Sequence, residues 1–147
     1  LIIQKLDDGL PDPKRAHPTD AGLDLYSAEG PIAFLPGARN LISTGIRVRL
    51  PKGTVGLVCP RSGLAHANGL TVLNAPGIVD QGYTGEIFVN LVNLSQHYQT
   101  IEYGERIAQL LVVPILLPSL QIFPSSSDVD HFFETDRGAK GHGSTGR

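Results

Sequence analysis

GIRVRLPKGTVGLVC, residues 45–59, carries the period-two signature of a strand, a turn and a second strand. Ile46, Val48 and Leu50 alternate with Arg47 and Arg49, as a strand with one buried face requires. Pro51-Lys52-Gly53 supplies turn residues, and the run from Thr54 to Cys59 is short and apolar. On either side of this stretch the same rhythm recurs. Strands are predicted over 1–6, 23–26, 32–35, 39–43, 70–73, 85–94, 99–101, 106–113 and 120–123. About ten short strands at roughly 8–12-residue spacing predict an all-β sandwich, jelly roll or barrel. Only residues 62–68 read as a helix, with Ser62 expected to cap its start and Gly69 to end it in a left-handed conformation.

The chain has 147 residues, of which 17 are Gly and 11 Pro, spread along its length as turn punctuation. Twelve Lys+Arg against 14 Asp+Glu leave a net charge of −2, which argues against a large nucleic-acid footprint. One cysteine, Cys59, excludes an internal disulfide framework. No apolar stretch approaches the ~20 residues of a membrane span. With no charged-then-apolar leader visible, a cytoplasmic protein is expected. Met is absent, so the natural start is expected to lie upstream of Leu1.

A change of character comes with SSSDVDHFFETDRGAKGHGSTGR, residues 125–147. Composition alone reads it as a disordered terminus. Its alternating glycines, with Arg137, Lys140, His142, Ser144 and Thr145, would also make a nest of backbone N–H groups for phosphate. A β-domain over 1–124 and an ordered C-terminal arm over 125–147 are therefore expected.

Four further segments concentrate polar chemistry. Asp24 stands between Leu23 and Leu25, so it points opposite to them, into solvent or a cleft where a carboxylate could hold Mg²⁺. Pro60-Arg61-Ser62-Gly63 opens the helix, offering free N–H groups, a guanidinium fork and a close backbone approach to an anion. Residues 74–86, NAPGIVDQGYTGE, hold two apolar runs joined around Gln81-Gly82, a hairpin signal, with Asp80 and Tyr83 at its mouth. Gln109 interrupts an apolar strand and is either a core amide satisfied by backbone or a phosphate ligand. Glu105 and Arg106 read as structural, paired with each other or with a neighbour.

Taken together, AGLDLYSA (21–28), PRSGLA (60–65), GIVDQGYTGEI (77–87), GERIAQLLV (104–112) and RGAKGHGSTG (137–146) resemble the five ordered motifs of the trimeric deoxyuridine triphosphatase family. The resemblance implies a jelly-roll-like distorted β-barrel and a homotrimer with active sites shared between subunits. One subunit would give the first, second and fourth motifs, another the third, and another the fifth. The implied reaction turns dUTP and water into dUMP and pyrophosphate with Mg²⁺, which keeps uracil out of DNA and supplies dUMP for thymidylate synthesis. Asp80 would activate the water, and Asp24 would anchor the hydrated Mg²⁺. Arg61, Ser62, Gly63 and Gln109 would hold the phosphates, with Arg137, Gly143, Ser144 and Thr145 at the far end. Asn74, Gly77, Ile78 and Val79 would read uracil, Tyr83 would pack on the sugar, and Phe88 would stand at the pocket rim. His142 replaces a more frequent Phe over the base and Lys140 a frequent Gly. An imidazole still stacks, with a pH-dependent contribution. A dCTP deaminase of the same fold is the nearest alternative. It would need a Glu where Asn90 stands.

Overall fold

The protein is described by a computed structural model over residues 1–139. Two units are present, Leu1–Leu116 and one that begins at Leu117. The first holds strands β1 (Ile2–Lys5), β2 (Leu23–Tyr26), β3 (Ile32–Phe34), β4 (Arg39–Arg49) and β5 (Thr54–Cys59). Helix α1 (Ser62–Asn68) follows, then β6 (Leu70–Val72), β7 (Gly77–Val79), β8 (Glu86–Asn93), β9 (Gln99–Ile101) and β10 (Arg106–Pro114). One sheet has the order β1-β4-β8-β6, a second β2-β10-β5-β7, and a two-stranded sheet pairs β3 with β9. All strand pairs are antiparallel. Ile42, Val48, Val89 and Leu91 from the first sheet meet Leu23, Leu25, Val58 and Leu110 from the second in one core. The architecture is the expected all-β, jelly-roll-like one.

Alternation placed most strands correctly, but the segments expected at 39–43 and 45–50 merge into one strand that ends at Arg49. Thr44 donates to the Ile87 carbonyl at 2.6 Å, and Glu86 accepts from the Gly45 N–H at 2.9 Å and from the Ser43 hydroxyl. These bonds carry β4 across the break in pattern. Its register against β8 shifts between Ser43 and Arg47, and its last residues pair with β1.

Three further expectations need correction. Ser62 does not cap α1: Arg61, extended at φ −90° and ψ 125°, takes the flanking position and no side chain caps the helix. Gly69 does end it, at φ 66°. The reversal at Gln81-Gly82 is present, with the Tyr83 N–H on the Asp80 carbonyl at 3.0 Å, but it is no hairpin. β7 pairs with β5, whereas β8 pairs with β4 and β6, so the turn crosses from one sheet to the other. Gln81 ties that crossing to the β4–β5 turn by accepting from the Gly53 N–H at 2.6 Å.

Residues 120–123 form no strand. Leu120 and Ile122 are 83% and 87% exposed, because an alternating pattern does not by itself supply a hydrogen-bonding neighbour. The second unit instead contains a 3-10 turn at Asp130–Phe132 and a stacked Phe123–Phe132 pair. Among the described residues no helix is long and apolar enough to cross a membrane.

Candidate active site

Strand β10 lies between β2 and β5, and its Gln109 is in register with Asp24 on one side and Cys59 on the other. Two residues past Cys59, the chain turns into α1. One row across the sheet therefore ends beside Arg61, Ser62 and Gly63. These three line a cavity of about 340 Å³ together with Asp24, Arg106 and Gln109. The loop before β2 completes the wall with Ala16, Asp20 and Gly22.

Charge at the cavity floor is organised around Asp24, which is only 9% exposed. One carboxylate oxygen lies 3.4 Å from Arg61 Nε and the other 3.3 Å from Arg106 Nη1. Arg61 also donates to the Arg106 carbonyl at 3.1 Å. A buried carboxylate needs such partners, since an unpaired charge there would be strongly destabilising. Tyr26, next on the same face of β2, feels the arrangement. Burial raises its phenol above the usual 10.0, the Asp24 charge adds to the rise, and Arg106 and Arg61 offset part of it.

Gln109 has the backbone partner expected of an amide within a strand. It lines the cavity and donates to the Pro60 carbonyl at 2.9 Å, pinning the turn into α1. Its Oε1 lies where a Cβ on Gly22 would be, so only glycine leaves room for the amide.

Asp80 is elsewhere. Val79 is in register with Gly56, so Asp80 lies beside Val55 near the start of β5, whereas Arg61 follows its end. At about 3.3 Å per strand residue the two are roughly 20 Å apart. Asp80 is exposed and joins no ion pair among the described residues. The other third-motif residues are spread along β7 and past it, with Gly77 in register with Val58 toward the α1 end of β5. Asn74 precedes β7 with its amide near Gly77, Ile78 is exposed, and Val79 is buried. Tyr83 donates to the Glu86 carbonyl at 2.7 Å and lies over Gly85, and Phe88 stands half-exposed on β8. Arg137 is in the turn at residues 136–139, while Lys140, His142, Gly143, Ser144 and Thr145 lie outside the described residues.

Sequence reading missed Arg106, Asp20 and Gly22 as cavity residues. Arg106 pairs with Asp24 rather than Glu105, whose carboxylate accepts from the Glu102 N–H at 3.0 Å. The available signal was the Ile107-Ala108 pair, two adjacent apolar residues that break strict alternation between Arg106 and Gln109.

Among known proteins, the sequence model of the dUTPase family matches residues 8–146. A deoxyuridine 5'-triphosphate nucleotidohydrolase of Mycobacterium sp. (strain JLS) is 51% identical over 147 residues, covering 99% of this chain and 94% of that one. The protein of the same name from Corynebacterium jeikeium is 51% identical, covering 99% and 92%. Among solved structures, a mutant of the Staphylococcus bacteriophage 80alpha dUTPase with dUpNHpp has a TM-score of 0.80 at 29% identity, covering 99% of this chain and 98% of that one. A mutant dUTPase from phage phi11 of S. aureus, with a structural Mg(II) ion, has a TM-score of 0.75 at 29% identity, covering 86% and 98%. With its five motifs in order and its sequence matched almost end to end, the chain belongs to the dUTPase family.

Proposed function

We propose that the chain is a dUTP diphosphatase working as a homotrimer, each active site being built from more than one copy. One observation carries this reading. The cavity gathers Asp24, Arg61, Ser62, Gly63 and Gln109, while Asp80, the carboxylate suited to activating water, is roughly 20 Å away at the other end of β5. General-base chemistry needs hydrogen-bond reach, so the Asp80 that serves this cavity belongs to another copy.

In the reaction, the phosphate chain enters the cavity, where Arg61 offers a fork and Ser62 and Gly63 offer donors. Asp80 of a second copy holds a water in line with the α-phosphorus and takes its proton. The new O–P bond forms as the bond to the β-phosphate oxygen breaks, giving dUMP and pyrophosphate. Asn74 and the backbone at Gly77, Ile78 and Val79 read uracil by fixed donors and acceptors, which leaves other bases with an unpaired group. Tyr83 covers the sugar and leaves no room for a 2′-hydroxyl, with Phe88 at the rim. Arg137, His142, Gly143, Ser144 and Thr145 close over base and phosphates as an arm. Removing dUTP keeps uracil out of DNA, and the dUMP serves thymidylate synthesis.

Magnesium fits this donor set in one way. Among the described residues no three His, Cys, Asp or Glu side chains converge as a metal cage, but Asp24 and Asp20 share the cavity wall. Mg²⁺ is commonly held by one or two carboxylates plus substrate phosphates and keeps several waters. Bound there, it supplies charge neutralisation for the departing pyrophosphate. Asp24, already holding two guanidinium groups, would reach it through a water.

Subunit mixing tests the shared site. Asp80→Asn and Arg61→Gln chains are each expected to be nearly inactive alone. Co-refolded, they should regain a substantial part of the parental pyrophosphate release, because some sites then combine two intact halves. No recovery in verified mixed trimers would place both residues in one chain's site and overturn the reading.

A further inference from the structure

We propose that Arg106 is a positioning residue of the cavity, aimed into it by a bulge in β10, and that it acts by holding Asp24 so that Arg61 stays open to phosphate. The inference rests on the reading that this cavity takes the phosphate chain.

Strand geometry makes the placement of Arg106 informative. Residues three apart on a regular strand point to opposite faces, so Arg106 and Gln109 should not share a wall. They do. The register explains it: Gln109 is opposite Asp24 and Arg106 opposite Tyr26, three steps along β10 against two along β2. The extra residue lies between Arg106 and Ala108, and Ile107 and Ala108 are consecutively buried, at 1% and 0% exposed. A bulge of this kind re-aims a side chain. Here it converts an outward arginine into one whose Nη1 lies 3.3 Å from Asp24 Oδ2.

Its effect passes through Asp24. With Arg106 on one oxygen, Asp24 takes only Nε of Arg61 on the other, at 3.4 Å. Arg61 spends a second N–H on the Arg106 carbonyl at 3.1 Å and keeps its remaining donors for a ligand. Without Arg106, both carboxylate oxygens would be free to take Arg61 as a bidentate fork, the geometry that phosphate also needs. Asp24 would then compete with substrate for Arg61. The loss should therefore appear in KM more than in kcat.

The test is a cycle of Arg106→Gln, Asp24→Asn and the double variant, with Arg106→Lys and Arg61→Gln alongside, read by dUTP kinetics and thermal melting. Arg106→Gln is expected to raise KM on the order of 10-fold to 100-fold, the range for one charge-assisted hydrogen bond, with a smaller change in kcat. Arg106→Lys should recover part of the loss. In the Asp24→Asn background, Arg106→Gln should cost no more than about threefold, since its target is gone. Equal costs in the two backgrounds overturn the proposal, as does a parental KM in Arg106→Gln. A fall in melting temperature with KM unchanged would assign Arg106 to stability alone. If Arg106→Gln does not fold, Arg106→Lys carries the test, with a several-fold rise in KM at parental melting temperature expected and a parental KM overturning it. A parental KM in Arg61→Gln would instead show that the cavity does not take phosphate, which sinks the underlying reading rather than the role of Arg106.

Discussion

The two ends of strand β5 are built differently. At the end that meets α1, Asp24 is buried and held by two arginines, and Gln109 is pinned to Pro60. The chain's own core fixes that end. At the other end Asp80 and Tyr83 are exposed, and the turn carrying them is held mainly by backbone and by Gln81. Under the proposed function, groups that would meet highly charged phosphate are preorganised within one chain, while those that would meet water and sugar are displayed outward. Preorganised donors need no rearrangement when charge moves, which is where electrostatic stabilisation is most effective.

Substitutions at the two ends should accordingly have different signatures. Asp80→Asn is expected to give the largest effect, a loss of turnover of about 10²–10⁴-fold, with dUTP binding by calorimetry and thermal stability close to parental. A near-normal rate would remove the functional contrast between the ends. Gly22→Ala, at the preorganised end, should lower kcat/KM by on the order of 10–100-fold. It should also cost about 1–3 kcal/mol of stability, because the new methyl collides with the Gln109 amide. Unchanged melting would mean that the amide moves away freely. Tyr83→Ala should leave stability alone and narrow the preference for dUTP over UTP by about tenfold, measured as the ratio of kcat/KM values.

The smallest effect concerns pH. Tyr26 is raised above 10.0 in the folded chain, so above pH 10 the unfolded state loses its proton first and binds fewer protons than the folded one. Stability from this group is therefore fully present below pH 10 and is lost as pH rises through the folded pKa. Tyr26→Phe should flatten the alkaline limb of a melting-temperature profile. A limb parallel to the parent's would show that Tyr26 does not titrate differently on folding.

Local pattern sufficed where a segment's fate is local. Alternation found β2, β5 and β9 to the residue, and Gly69 marked the end of α1, because side-chain period and left-handed closure are written in a few neighbouring positions. It failed where the outcome depends on a distant partner. Gln81-Gly82 announces a reversal but not which sheet receives the returning strand. Leu120 and Ile122 alternate like a strand, yet pairing must come from elsewhere. Asp24, Arg61, Ser62, Gly63 and Gln109, from the first, second and fourth motifs, line one cavity, but Arg106 depended on a one-residue offset between β10 and β2 that no motif spells out. The separation of Asp80 from Arg61 was legible only through the resemblance, since it follows from strand direction rather than from either residue's neighbours.

Cys59 is the chain's one thiol, partly exposed and in register with Gln109. A maleimide dye has a single place to attach, one strand away from the amide that pins the cavity wall. The enzyme thus brings its own labelling site for spectroscopy: one unambiguous reporter per chain, three per proposed trimer, and no background cysteine to remove.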